Sequence, residues 1–189
     1  MKKILLFASG TGSNVENILK YFKNNNEIRV VSVFSNNPKA NVLSIAAQHA
    51  VPTYIFDKDE LTGGAVLDKL KEFQPDLIVL AGFLWKMPED IVHQYTDKII
   101  NIHPALLPKY GGKGMYGMKV HEIILANREL ETGITIHYVN EHYDEGAYIL
   151  QQSVSIEDCD TPDEIAAKVH ALEHMYFPQV IAKLLNSKP

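Results

Sequence analysis

A chain of 189 residues, 46% hydrophobic and 22% charged, has the make-up of a soluble globular protein and the length of one domain. Its net charge of −5, with Lys and Arg scattered rather than grouped, argues against a nucleic acid or an anionic membrane as main partner. The single cysteine, Cys159, excludes an internal disulfide framework and any Cys-x-x-Cys zinc site, and no apolar run reaches the length of a membrane span.

Strands and helices are expected to alternate. Ile4 to Ala8 is a continuous apolar run, the pattern of a central parallel strand buried on both faces. Its flank faintly resembles a signal peptide, but the apolar core is short and Gly10-Thr11-Gly12-Ser13 follows at once. Ser13 or Asn14 can cap a helix to about Lys23, with Val15, Ile18, Leu19 and Phe22 on one face. Arg29 to Phe34 reads as a second strand, Asn41 to His49 as a helix and Thr53 to Phe56 as a short strand. One helix is expected over Leu61 to Phe73, then a strand at Asp76 to Ala81 and a short helix at Pro88 to Gln94. Lys98 to Ile102 is a strand, Lys109 to Met118 a glycine-rich loop and Val120 to Ala126 a helix. Gly133 to Val139 and Ala147 to Val154 look like a strand pair, and Thr161-Pro162-Asp163-Glu164 starts a helix running to about Leu185. The order describes an α/β, doubly wound, mostly parallel sheet with an antiparallel C-terminal edge.

The densest chemistry lies in Asn101-Ile102-His103-Pro104. Side chains alternate along a strand, so Asn101 and His103 share a face at its C-terminal end, where open parallel sheets place their sites. His supplies proton transfer near neutral pH and Asn a neutral donor for a developing oxyanion. Between the first strand and first helix, Ser9-Gly10-Thr11-Gly12-Ser13-Asn14 offers glycines, hydroxyls and helix-start N–H groups to an anion. The plain alternative is an ordinary βα turn. A dinucleotide fits less well than a single phosphate: Val15 stands where a third glycine belongs, and the second strand ends in Ser35-Asn36-Asn37 rather than an acidic residue.

Asp144 lies in the turn between the two late strands, where an aspartate before a glycine usually serves the turn itself. Facing His103, it would orient the imidazole and favour its cation. Thr135 and His137 share a strand face and either could line the site, although a surface His is the commoner outcome. His121 reads as a solvated helix-start histidine. The eight His show no His-Glu-x-x-His or similar spacing, so no metal is expected.

Taken together, Ser9 to Asn14, Leu80-Ala81-Gly82-Phe83, Asn101 to Pro108 and Asp144-Glu145-Gly146 closely resemble, in order and spacing, the folate-dependent phosphoribosylglycinamide formyltransferases. The resemblance covers nearly the whole chain and implies a single Rossmann-like formyltransferase domain over 1–189. Residues 1–100 would form the phosphate and ribonucleotide half, and 101–189 the catalytic and folate half. It implies formyl transfer from 10-formyltetrahydrofolate, a co-substrate, to the amine of glycinamide ribonucleotide. Asn101, His103 and Asp144 match the catalytic trio. Gly10, Thr11, Gly12 and Ser13 match the substrate-phosphate loop, and His170 and Glu173 the ribonucleotide site. Leu84, Trp85, Lys86 and Met87, with Asn140, Glu141, His142 and Tyr143, match the folate pocket. A cytoplasmic monomer or weak homodimer follows from the same likeness.

The chain departs from that pattern at Trp85, where arginine is common, at His170, where Lys or Gln is frequent, and at Ala105, a frequent Ser. No arginine occurs near Leu61 to Leu67, and the loop Gly111 to Met118 is longer and richer in glycine than usual. These bear on folate affinity, not on the reaction class. Methionyl-tRNA formyltransferases and formyltetrahydrofolate deformylases share parts of the pattern but usually carry a further domain, for which this length leaves no room.

Overall fold

The computed structural model describes residues 1–186. In chain order the elements are β1 (Lys2–Phe7), α1 (Ser13–Phe22), β2 (Ile28–Ser35), α2 (Asn41–Gln48), β3 (Thr53–Ile55), α3 (Lys58–Thr62) and α4 (Ala65–Phe73). They continue as β4 (Leu77–Leu80), α5 (Glu89–Gln94), β5 (Ile99–His103), α6 (Met118–Ala126), β6 (Glu131–Tyr138), β7 (Tyr148–Ser155) and α7 (Pro162–Asn186). The described strands make one sheet in the order β3-β2-β1-β4-β5-β6-β7. Pairing is parallel from β3 through β5, and β6 and β7 add antiparallel. The chain runs outward from β1 one way and then returns to β4 on its other side, so a crevice opens above the C-terminal ends of β1 and β4.

The two-residue period of β1 divides the core. Ile4 and Leu6 face α1, α2, α6 and α7, while Leu5 and Phe7 face Phe34, Leu61, Val66, Leu70 and Ile91. On that second face Phe7 packs edge-on or tilted against Phe34, Phe56 and Phe83, with centroids 5.1, 5.8 and 5.3 Å away. The ring cluster anchors the segment after β4 beneath the crevice.

Two local outcomes differ from the sequence expectation. The helix expected over Leu61 to Phe73 is two helices. Asp57 and Glu60 form a reciprocal cap that starts the first at Lys58, and Gly63-Gly64, with Gly64 at φ +96°, turns the chain before the second. Neither Ser13 nor Asn14 caps α1: Gly12 occupies that position in the left-handed region (φ 82°), without a side-chain cap. A Cβ on Gly12 would lie 2.7–2.9 Å from Val42 of α2, so close packing of α2 demands glycine there. The last helix ends within a residue of its expected end: α7 continues through Pro178 to Asn186. Pro178 has no N–H for the carbonyl of His174 four residues earlier, and the Asn17 amide of α1 donates to that carbonyl instead (2.8 Å).

Candidate active site

A cavity of about 560 Å³ occupies the crevice, within the range of small-molecule sites. Its floor is the C-terminal end of β5 and its walls are the β1–α1 turn, the segment after β4, the loop 109–118, the β6–β7 turn and one side of α7.

Asn101 and His103 stand on β5 as alternation requires, opposite His137 and Thr135 of β6 in the antiparallel register. That register brings a second histidine to the site. His137 is buried, lines the cavity and donates from Nδ1 to the Tyr138 carbonyl (2.8 Å). A carbonyl only accepts, so Nδ1 carries the proton and Nε2 presents a lone pair to the Asn101 amide nitrogen at 3.2 Å. This contact fixes which end of the Asn101 carboxamide is the donor and leaves one of its N–H groups for a ligand. Thr135, the other candidate, turns to structural work: its hydroxyl donates to Ala105 O (2.8 Å) and accepts from Leu107 N (3.0 Å), bracing the turn after β5.

Asp144 reaches both imidazoles, with Oδ2 3.6 Å from His103 Nδ1 and Oδ1 3.6 Å from His137 Nε2. Its backbone is left-handed (φ 56°), and Gly146 lets the turn pass directly over the end of β6. A Cβ at Gly146 would fall 1.7 Å from the Tyr138 carbonyl oxygen, so the Asp-x-Gly spacing is a steric requirement for delivering the carboxylate. From the other side the Gly112 amide donates to Asp144 Oδ2 (2.9 Å).

The charge states follow from these surroundings. Burial drives the Asp144 carboxyl upward, but His137, the charge of His103 and the Gly112 amide outweigh it and hold the group below the usual carboxylate range. His103 goes the other way from the sequence expectation. It is 3% exposed, and burial lowers its pKa despite Asp144 and the Tyr110 carbonyl, with His137 adding to the effect. Near pH 7 the imidazole is therefore neutral rather than cationic. Its Nε2–H donates to the Tyr110 carbonyl (2.7 Å), so Nδ1 is the bare nitrogen.

The β1–α1 turn has the polarity of an anion cradle. The carbonyls of Ser9, Gly10 and Thr11 are all engaged by protein donors: Asn37 Nδ2 (3.4 Å), Val42 N (3.2 Å) and Asn41 Nδ2 (3.0 Å). What the turn can offer a ligand is its N–H groups and hydroxyls. Gly10, Thr11, Gly12, Ser13 and Asn14 all line the cavity. Glu173, buried on α7, accepts from Asn14 Nδ2 (2.9 Å), and burial raises its pKa against the opposing effects of that bond and His170. His170 also lines the cavity.

At the opposite wall Leu84, Trp85, Lys86 and Met87 join Asn140, His142 and Tyr143. Ser9 links the two walls by accepting from Leu84 N (3.0 Å). Of the folate-pocket residues that the resemblance implies, Glu141 is the one that does not line the cavity; its carboxylate pairs with His93 of α5 at 2.8 Å. Trp85 packs edge-on against Phe56 (6.3 Å).

Sequence reasoning held His137 open as a lining residue but favoured a surface place for it, named Asn14 only as part of the turn and a cap, and passed over the backbone of Tyr110 and Gly112. For His137 a signal existed, since antiparallel pairing of the late strand with β5 puts it opposite Asn101. His121, expected in solvent, is 2% exposed, and among the described residues its Nδ1 has no hydrogen-bond partner. Among the described residues no group of three or more His, Cys, Asp or Glu is placed to hold a metal ion, and no helix is long and apolar enough to cross a membrane.

Comparison with known proteins completes the picture. The formyl transferase family model matches residues 2–181. The chain is 36% identical, over 99% of its length, to the chloroplastic phosphoribosylglycinamide formyltransferase of Vigna unguiculata, of which it spans 62%. It is 34% identical to the phosphoribosylglycinamide formyltransferase of Bacillus subtilis (strain 168), covering 98% of this chain and 96% of that one. Among solved structures, the phosphoribosylglycinamide formyltransferase of Anaplasma phagocytophilum superposes with a TM-score of 0.89 at 32% identity, covering 99% of this chain and 88% of that one.

Proposed function

The chain belongs to the formyl transferase family, and from that premise we propose that it transfers the formyl group of 10-formyltetrahydrofolate to the primary amine of glycinamide ribonucleotide, a step of purine synthesis. The observation that carries this reading is the meeting of Asn101, His103 and Asp144 in one cavity beside an anion cradle. The cradle of Gly10 to Ser13 takes the phosphate. Glu173 and His170 face the ribonucleotide, and the wall of Leu84 to Met87 with Asn140, His142 and Tyr143 receives the folate. Residues 1–100 then supply the phosphate side and 101–189 the catalytic and folate side. The protein works as a cytoplasmic monomer or weak homodimer.

The chemistry uses each group in the state that its surroundings impose. The amine attacks the formyl carbon, and the carbonyl electron pair moves to oxygen, giving a tetrahedral anion. The Asn101 N–H that His137 does not use donates to that oxygen. The new C–N bond leaves the attacking nitrogen positive. Neutral His103 takes its proton at Nδ1, directly or through one water held by Asp144. The imidazolium so formed lies between the Tyr110 carbonyl and the Asp144 carboxylate, both of which favour it. It returns the proton to N10 of the folate as the C–N10 bond breaks, and the carbonyl reforms. No nucleophile from the protein is required.

A spectrophotometric assay of folate deformylation, with and without glycinamide ribonucleotide, tests the proposal. Turnover only with the ribonucleotide is the expected result. Turnover without it points to a hydrolase, and no turnover in either condition refutes the reading.

A further inference from the structure

The loop 109–118 holds the catalytic groups through its backbone, and something must hold the loop. Tyr110 is a non-glycine residue in the left-handed region (φ 58°), a conformation that persists only when its surroundings enforce it. Its phenol is clamped at the far end. The hydroxyl donates to Glu129 Oε1 at 2.6 Å and accepts from Asn127 Nδ2 at 2.9 Å. Lys109 Nζ holds the same carboxylate oxygen at 3.0 Å. Asn127 is the residue that ends α6, and Glu129 lies in the turn between α6 and β6. The clamp therefore ties the loop to an element on the rigid body of the domain. At the near end, the Tyr110 carbonyl receives His103 Nε2–H at 2.7 Å, and two residues on, the Gly112 amide meets Asp144.

We propose that Tyr110, clamped by Glu129 and Asn127, is a positioning residue for His103: the clamp sets the carbonyl that keeps the imidazole in its Nε2–H form and leaves Nδ1 bare for the transferred proton. The inference rests on the formyl-transfer reading for its catalytic consequence, but not for its tautomer consequence. Without the phenol contacts, the left-handed backbone at Tyr110 keeps the packing of the ring on the core and the Gly112 bond to Asp144 but loses its far anchor, the carbonyl shifts, and His103 can carry its proton on Nδ1 toward Asp144. That form cannot accept a proton where the mechanism needs one. Glu129 acts through Tyr110 and touches neither substrate.

The test combines kinetics with nitrogen NMR of the imidazoles. Tyr110→Phe and Glu129→Ala should each lower kcat by about 10- to 100-fold, the scale of a sub-ångström to ångström misplacement of a catalytic group. KM for both substrates should stay within about twofold, because ground-state binding is untouched. Glu129→Gln, which still accepts from the phenol, should retain most of the activity. In the native chain the His103 signals should show one tautomer, protonated at Nε2; in Tyr110→Phe both tautomers should appear. Should Tyr110→Phe fold poorly, Glu129→Ala against Glu129→Gln carries the same contrast. A single Nε2–H tautomer in folded Tyr110→Phe or Glu129→Ala, with native kcat, overturns the inference. Loss of kcat with an unchanged tautomer overturns it as well. A native protein without formyl transfer but with the predicted tautomer change would refute the proposed function and keep the clamp.

Discussion

Acid should weaken this fold through a buried histidine of α6. His121 sits on the inner face of α6 at 2% exposure, and its Nδ1 has no hydrogen-bond partner among the described residues. Burial first, then the positive charges that His170 and His103 would carry, lower its pKa from 6.5 to about 4. The unfolded chain binds a proton there below pH 6.5, whereas the native chain does not until near pH 4. In that window the unfolded state holds more protons, so stability falls as the pH falls. Each pH unit costs about 1.4 kcal/mol, and across the window the loss approaches about 3 kcal/mol, a large fraction of the net stability of an ordinary domain. His103, Asp144 and His174 are also lowered in the folded state and add slope of the same sign, so the native curve alone cannot isolate His121. A comparison can. His121→Leu is close in volume and removes the titration. Urea unfolding of both chains from pH 7.5 to 4.5 should show similar stability at the top of the range. At pH 4.5 the variant should be the more stable by about 2–3 kcal/mol. Parallel curves at every pH would refute the argument, because they would mean that His121 binds its proton equally well in both states.

Further outcomes follow from the site. His103→Ala should cut kcat by about 100- to 10,000-fold, the range for loss of a positioned acid–base group, with the fold kept. The rate of the native protein should fall on the acid side below pH 6.5, where His103 begins to hold a proton, and Asp144→Asn should move that limb to lower pH by removing the carboxylate that favours the imidazolium; an unmoved or raised limb contradicts the assignment. His137→Leu should lower kcat by at least about tenfold in the native background and have little effect once Asn101→Ala is present, since both act on one donor; additive losses would separate them. Gly10→Ala is the clean probe of the cradle. A Cβ at Gly10 meets nothing within 4 Å, so stability should hold while ribonucleotide affinity falls by about tenfold or more and folate affinity does not, as calorimetry can show. Gly12→Ala cannot serve, because contact with Val42 and the left-handed backbone would destabilise the fold itself.

Much of the architecture was legible because it depends on periodicity. The unbroken apolar runs of β1 and β4, buried on both faces, announce central parallel strands. Where one residue's backbone decides, composition is silent. Gly63-Gly64 splits a helix that its apolar spacing would carry through, and the missing cap of α1 reflects the approach of α2, which no local pattern contains. The meeting of Asn101, His103 and Asp144 in one cavity was legible because Asn101 and His103 are two residues apart on one strand face and Asp144 precedes a glycine that has a steric reason to be there. The charge state of His103 was not. A nearby carboxylate suggests a cation, and only the depth of burial reverses that. Glu141 shows the converse: its place in the right loop said nothing of the α5 histidine that takes its carboxylate.

The same reversal bears on how the proposed mechanism manages its proton. A permanently cationic His103 would stabilise the tetrahedral anion but could not relieve the attacking nitrogen of its positive charge. A neutral one can, provided its bare nitrogen faces the cavity and the cation it becomes is then welcome. Burial supplies the first condition, the Nε2–H bond to Tyr110 the second, and the Asp144 carboxylate at 3.6 Å the third. The carboxylate sits outside hydrogen-bond distance of both imidazoles in this state. It therefore favours the cation without capturing the nitrogen beforehand. A shorter contact would raise the His103 pKa and spoil the base; a much longer one would strand the imidazolium in an apolar pocket. The intermediate distance suits the double role, base and then acid, that the proposed mechanism gives His103.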